Sequence, residues 1–365
     1  MKITHLDLRI VDLPYKEPVQ WARSKETSGK YVLLQICTDE GLVGIAEGVD
    51  KPTWTGSEPL ITCQLLRTIY EPLLVGLDPL RPDQVWATVN NIPGWSTAKV
   101  LLDLALTDLQ AKSAGIPLWK HLGGWSETVE LSWLLNLGDD NRRIDEAEEM
   151  AGRYGFAAFK VKIGRDAKAD VDYVRKFRTT FGPSVLITLD ANSLYTFQEA
   201  MSVAQRLQEL DIYLFEDPCP MASSEMVEQV VRRCAIPVMV ESQSTSPQQV
   251  AQFLDAGAQA VEIKVPRIGY RQADEVRRLC EARGAITGIG LMGESSIGSL
   301  FSMHLHSSRR HFQSLPAENC FFLKISEDLI AAPLEVVGGK VRLPTGPGIG
   351  AELNPEVIER SMKVD

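Results

Sequence analysis

Phe159-Lys160-Val161-Lys162-Ile163-Gly164 sets two lysines two residues apart inside an apolar, β-branched run. On a strand, residues i and i+2 project to one face, so both ammonium groups leave this element in the same direction. Two like charges held side by side repel, which lowers the pKa of at least one of them. A lysine so depressed serves as a general base near neutral pH. The other reading is an edge strand whose two lysines snorkel to water. The rest of the chain decides between the two.

Outward from this strand the pattern repeats. Short apolar runs at 131–137, 158–163, 185–191, 213–218, 237–242, 260–265, 285–290 and 312–318 (FQSLPAE) alternate with amphipathic helical segments. Strands alternating with helices indicate parallel βα units, and eight of them close a TIM-type barrel. No GxGxxG follows a first strand to favour an open doubly wound sheet. Ahead of the barrel, residues 2–12, 31–37 and 43–47 read as an antiparallel meander. A polar segment carrying an exposed Trp21 separates the first two strands, and a loop carrying Trp54 follows the third. Helical patterns run over 58–74, 83–90 and 97–114. The fold class is therefore α/β, with an α+β domain over 1–126 and a barrel over 127–325. In the segment 326–365, VVGGKVRLPTGPGIG reads as a hairpin returning to the first domain.

The 365 residues, 44% of them apolar, suffice for a barrel plus an accessory domain. A net charge of −10 argues against nucleic acid or an anionic membrane surface as partner. Six cysteines without CxxC spacing read as reduced thiols. There is no signal-peptide h-region and no apolar run of membrane-spanning length. The expectation is a cytoplasmic protein.

In such a barrel, polar residues at the C-terminal ends of the strands face the site. Here these ends carry Lys160 and Lys162, Asp190 with Asn192 beyond, Glu216-Asp217, Glu241 with Gln243 beyond, Lys264 followed by Arg267, then Glu294 and Glu318. Asp190, Glu216 and Glu241 are spaced by 26 and 25 residues, one βα unit each. Neighbouring strands lie about 4.8 Å apart, so the three acids converge. Converging carboxylates repel strongly unless a cation joins them, and an all-oxygen donor set suits Mg²⁺. Lys160 and Lys162 stand one strand before this position and Lys264 one strand after it. A substrate carboxylate there is flanked by bases on both faces. Lys162 is placed to remove the α proton, and Lys264 to stabilise the enediolate or return a proton.

Taken together, these residues resemble the enolase superfamily, in its muconate lactonizing enzyme subgroup. The likeness covers nearly the whole chain. It includes Asp39-Glu40-Gly41-Leu42-Val43-Gly44, Ala105-Leu106-Thr107-Asp108-Leu109, Gly293-Glu294-Ser295-Ser296-Ile297-Gly298 and Gly346-Pro347-Gly348-Ile349-Gly350. The resemblance implies a modified TIM barrel, (β/α)7β, under an N-terminal capping domain. It implies Mg²⁺ or Mn²⁺ on Asp190, Glu216 and Glu241, acid–base catalysis by Lys162 and Lys264, and electrostatic help from Lys160. Asn192, Glu294, Glu318, Trp21 and Trp54 become candidate substrate contacts. The implied activity is a muconate cycloisomerase-like isomerisation of a small carboxylate by a homo-oligomer, often an octamer. Racemisation or epimerisation, dehydration, or non-catalytic carboxylate binding are the alternatives. Two departures stand out: the fifth strand ends Glu241-Ser242-Gln243 where Asp-Glu-Ser is usual, and Tyr270 replaces a common glycine.

Overall fold

The computed structural model describes residues 1–21, 24–242 and 244–364; Gln243 lies outside them. Strands β1 (Ile3–Gln20), β2 (Lys25–Thr38) and β3 (Val43–Val49) form the antiparallel meander. Its first hairpin is longer than the sequence pattern suggests. Pairing runs from Ile3↔Thr38 out to Gln20↔Lys25, with a register shift between Pro14 and Val19. The polar segment is thus the outer end of a hairpin, and it carries Trp21 over the barrel mouth. The meander packs on the helix Thr97–Ser113, whose Val100, Leu101 and Ala105 are fully buried. That apolar stripe recurs at helical spacing, which is why this segment is helical and lies flat on the sheet.

In the barrel, β4 (Thr128–Glu130) precedes seven parallel strands: β5 (Trp133–Leu135), β6 (Ala158–Lys162), β7 (Leu186–Asp190), β8 (Leu214–Glu216), β9 (Val238–Val240), β10 (Ala260–Ile263) and β11 (Ile286–Ile289). They pair in chain order, and the register sets Lys162 beside Asp190 and Asp190 beside Glu216. The helices that follow start on side-chain caps, Asp139, Asp166, Ser223 and Ser246 among them, with a capping box at Thr196 and Glu199.

One expectation needs correction. Residues 312–318 do not form an eighth strand. Arg310–Ser314 is a 3₁₀ turn, and Pro316 has no N–H to give to a ladder. The eighth place is held by three backbone hydrogen bonds: Ala317 N–H to Glu130 O (2.8 Å), Ser132 N–H to Ala317 O (2.8 Å) and Glu318 N–H to Ile289 O (3.0 Å). These close the ring between β11 and the start of β5. The C-terminal hairpin, β12 (Val336–Val337) with β13 (Lys340–Arg342), pairs with β4. Buried Val129, Val336 and Val341 give it an apolar face there. The stretch just beyond it returns to the first domain, where Leu118 N–H donates to Gly348 O (2.7 Å) and Ile349 N–H to Asp108 (2.8 Å). Further on, β14 (Met362–Lys363) joins the meander by pairing with Arg9 and Ile10 of β1.

The helix Ser296–Ser308 is buried on every side. Its N-terminal donors are met from elsewhere in the chain. Glu47 on β3 accepts from Ser295 N–H (2.9 Å), the Ser295 hydroxyl and Gly298 N–H (3.3 Å). Asp328 accepts from Ser296 N–H and the Ser296 hydroxyl. A carboxylate at Asp328 also suits the helix dipole. Among the described residues no helix is long and apolar enough to cross a membrane.

Candidate active site

The strand register determines the charge pattern at the barrel mouth. Lys160 points inward from β6 and is fully enclosed. Its Nζ lies 2.6 Å from Glu216, 2.7 Å from Glu318, 3.7 Å from Asp190 and 3.8 Å from Glu262. Burial alone would depress this lysine. Glu216, Glu318, Glu262 and Asp190 outweigh burial and hold its pKa well above the ordinary value. The lowering expected from the Lys160–Lys162 pair is therefore reversed at Lys160. The strand pattern shows only the neighbouring ammonium, whereas the barrel interior surrounds the side chain with acid.

Lys162 is set differently. Its Nζ pairs with Asp190 and donates to Asn192 Oδ1 at 2.8 Å, and its backbone carbonyl accepts from buried Arg143 at 2.6 Å. Asn192 N–H in turn donates to Asp190 Oδ1 at 2.7 Å. Asn192 (φ 45°) and Asp217 (φ 38°) both take left-handed backbone just past β7 and β8. Such strain in non-glycine residues is held in place by the surrounding packing and gathers at functional sites. Asp217 accepts from the Glu241 and Ser242 N–H groups at 3.0 and 2.8 Å and so fixes the end of β9.

Glu241 is gripped from the other side. Lys264 Nζ lies 3.0 Å away and Arg267 forms a second ion pair. Burial opposes its ionisation, but Arg267 and Lys264 outweigh burial and hold the carboxyl well below the usual carboxylate range.

A cavity of about 240 Å³ joins these groups. Lys160, Lys162, Asn192, Glu241, Lys264 and Glu318 line its floor, and Leu134, Leu137 and Leu291 its walls. Trp21 and Trp54 form the roof, their rings 5.0 Å apart edge to face. Trp21 is buried, not exposed as its polar surroundings suggest. Its indole N–H donates to Glu26 at 2.8 Å, and Lys51, paired with Glu26 at 2.6 Å, sits 4.1 Å from its ring centroid. Asp190 and Glu216 lie behind the lysines. Glu294 is not brought to the cavity. It is completely buried, accepts from Met292 N–H at 2.8 Å, and burial pushes its carboxyl up to about 7. His304 and His306 are also buried, each bonded to a backbone carbonyl.

The strand-end pattern does not single out Glu262. Glu216, Glu262 and Glu318 bring carboxylate oxygens within 4.8 Å of one another. Glu262 stands two residues before Lys264 on β10, so the i, i+2 rule that pairs Lys160 with Lys162 also points to it. Glycine at 288 makes room for it, because a Cβ there would land on Glu262 Oε2. Among the described residues, Glu216 Oε1 and Glu262 Oε1 are buried and accept no hydrogen bond. Carboxyl oxygens left without a donor inside a barrel are costly. Among the described residues the expected set Asp190, Glu216 and Glu241 is not brought together; it shares only Glu216 with this cluster. Lys160 Nζ sits against Glu216 and Glu318, while the all-carboxylate donors of either set are of the kind that suits a hard divalent cation.

Residues 5–123 match the mandelate racemase/muconate lactonizing enzyme N-terminal domain, and residues 142–357 match the enolase C-terminal domain-like family. Chloromuconate cycloisomerase CbnB of Cupriavidus necator is 29% identical over 98% of both chains. The N-succinyl-L-Arg/Lys racemase of Bacillus cereus is 26% identical over 98% of this chain and 97% of its own. The crystal structure of muconate lactonizing enzyme from Mycobacterium smegmatis, complexed with muconolactone, superposes with a TM-score of 0.94 at 26% identity and covers 100% of both chains. The chain belongs to the mandelate racemase/muconate lactonizing enzyme family, built on the enolase-type barrel.

Proposed function

We propose that this isomerase moves a proton at the carbon next to a substrate carboxylate, with Lys162 and Lys264 as its two acid–base groups. One observation carries the reading. The two lysines stand on β6 and just past β10, four places apart in a ring of eight, and open into one cavity from opposite sides. Asp190 and Asn192 orient Lys162, and Glu241 orients Lys264. Lys160, enclosed by acids, acts as a fixed charge. The indole roof limits water around the reacting carbon.

Asp190, Glu216 and Glu241 would hold a divalent cation, Mg²⁺ or Mn²⁺. When bound, it supplies Lewis-acid stabilisation of negative charge on the substrate carboxylate. Two versions of the reaction share this machinery. Likeness to cycloisomerases over the full chain supports cycloisomerisation. The two opposed lysines support racemisation or epimerisation, in which one removes the proton and the other returns it.

The test is solvent-deuterium exchange at the α carbon, followed by proton NMR. The panel holds muconate, N-acyl amino acids, dipeptides and acid sugars, each with Mg²⁺ present. Exchange into at least one acid, lost in Lys162→Ala, is the expected result. Exchange that persists in that variant would remove Lys162 as the base.

A further inference from the structure

Lys264 is anchored from two directions, and one anchor lies outside the barrel. After β10 the chain makes a single turn over 265–268, with Arg267 and Ile268 N–H donating to Lys264 O at 2.9 and 3.2 Å. Gly269 then breaks the helix Val265–Arg283 with φ 66°, ψ −172°, and the helix starts afresh at Tyr270. A restarted helix has first-turn N–H groups with no partner within it. Tyr270 and Arg271 N–H both donate to Asp103 Oδ2, at 2.6 and 2.9 Å. Asp103 belongs to the helix Thr97–Ser113 of the capping domain and is 2% exposed.

The fit allows little slack. A Cβ at position 269 would lie 2.5 Å from Asp103 Oδ2, so both the left-handed backbone and the close approach require glycine there. The Tyr270 hydroxyl donates to Phe301 O at 2.7 Å and pins the same junction to the buried helix Ser296–Ser308. This accounts for tyrosine at a position where a second glycine is common. The junction is one turn from Lys264, whose Nζ is held on the cavity side by Glu241 at 3.0 Å.

We propose that Asp103 is a positioning residue for Lys264. This capping-domain carboxylate caps a barrel helix across the domain boundary and thereby fixes the turn that presents the lysine to the cavity. The catalytic meaning of this placement rests on the reading of Lys264 given above. The placement itself does not.

Pulsed acylation of the full-length protein in Mg²⁺ buffer, with per-lysine mass spectrometry, tests it. Lys162 is an internal control, since no contact links it to Asp103. In Asp103→Ala the Lys264:Lys162 labelling ratio should rise at least threefold. Asp103→Asn, which keeps an acceptor oxygen, should stay within twofold of the unaltered protein. An unchanged ratio, or both lysines speeding up together as in general loosening, overturns the proposal. Turnover of an acid found by the exchange panel should fall in Asp103→Ala and recover in Asp103→Asn, with Mg²⁺ affinity unchanged by calorimetry. If exchange survives Lys162→Ala, the proposed function fails, and the labelling ratio still judges Asp103.

Discussion

Replacing Glu47 with alanine should destabilise the fold more than any surface change and report on how the two domains are joined. Glu47 is 1% exposed and accepts from Ser295 N–H at 2.9 Å and Gly298 N–H at 3.3 Å, as well as from the Ser295 hydroxyl. The Ser295 hydroxyl keeps Ile297 N–H as a donor to its oxygen at 3.2 Å and can turn its own proton to another acceptor. The two backbone N–H groups have none, because the helix Ser296–Ser308 is buried on all sides. Each orphaned N–H costs about 1–3 kcal/mol. The sum is about 2–5 kcal/mol, once the relaxation open to Gly298 is allowed for. Glu47→Gln keeps an oxygen for one N–H but turns an NH₂ toward the other, so about 1–2 kcal/mol is expected. Urea unfolding followed by circular dichroism measures both. A loss below about 1 kcal/mol for alanine, or glutamine costing more than alanine, would refute the account of this cap.

The same residue carries a pH signature. Burial pushes the Glu47 carboxyl from 4.5 up to about 8 despite the Ser295 donors, so the folded chain keeps a proton there that the unfolded chain releases. The stability this provides is complete below about pH 4.5 and is lost as pH rises toward 8. The unaltered protein should lose urea resistance across that window relative to Glu47→Gln, and parallel profiles would refute this. Calorimetry should find one divalent ion per chain, with affinity at least tenfold weaker in Glu216→Gln; an unaltered protein that binds none would remove the metal from the mechanism. Gly288→Ala should cost about 1–3 kcal/mol through overpacking against Glu262 and Met239. Adding Glu262→Ala should recover part of that loss in urea unfolding, and strict additivity of the two changes would exclude the clash.

Periodicity made much of this molecule legible before any coordinates. The i, i+2 rule on β6 picks out Lys160 and Lys162, and the recurrence of acids after each βα unit picks out Asp190, Glu216 and Glu241, because both follow from regular local geometry. What periodicity cannot show is contact across long separations. Asp103 and Tyr270 are 167 residues apart, and nothing in either segment names the other. The surroundings of Lys160 come from β6, β7, β8, β10 and the 317–318 closure at once, so its charge environment emerges only when the ring is formed. Trp21 reads as exposed because its sequence neighbours are polar, yet Trp54 and Phe321 lie 5.0 and 5.2 Å from its ring. FQSLPAE looks like a strand by composition, and Pro316 alone argues against it.

The closure at Ala317 makes the ring a clasp rather than a hoop. Seven strands hold one another by continuous ladders, while the eighth place rests on three backbone hydrogen bonds and side-chain bonds from Asn319 and Cys320. Glu318, which faces Lys160 at 2.7 Å, sits on that clasp. Few bonds mean a low local opening energy, well under that of global unfolding. Brief unfastening there separates Glu318 from Lys160 while the seven-stranded sheet stays intact. Activity should therefore fade on warming before the fold melts, with fast amide exchange at Ser132, Ala317 and Glu318 marking the place.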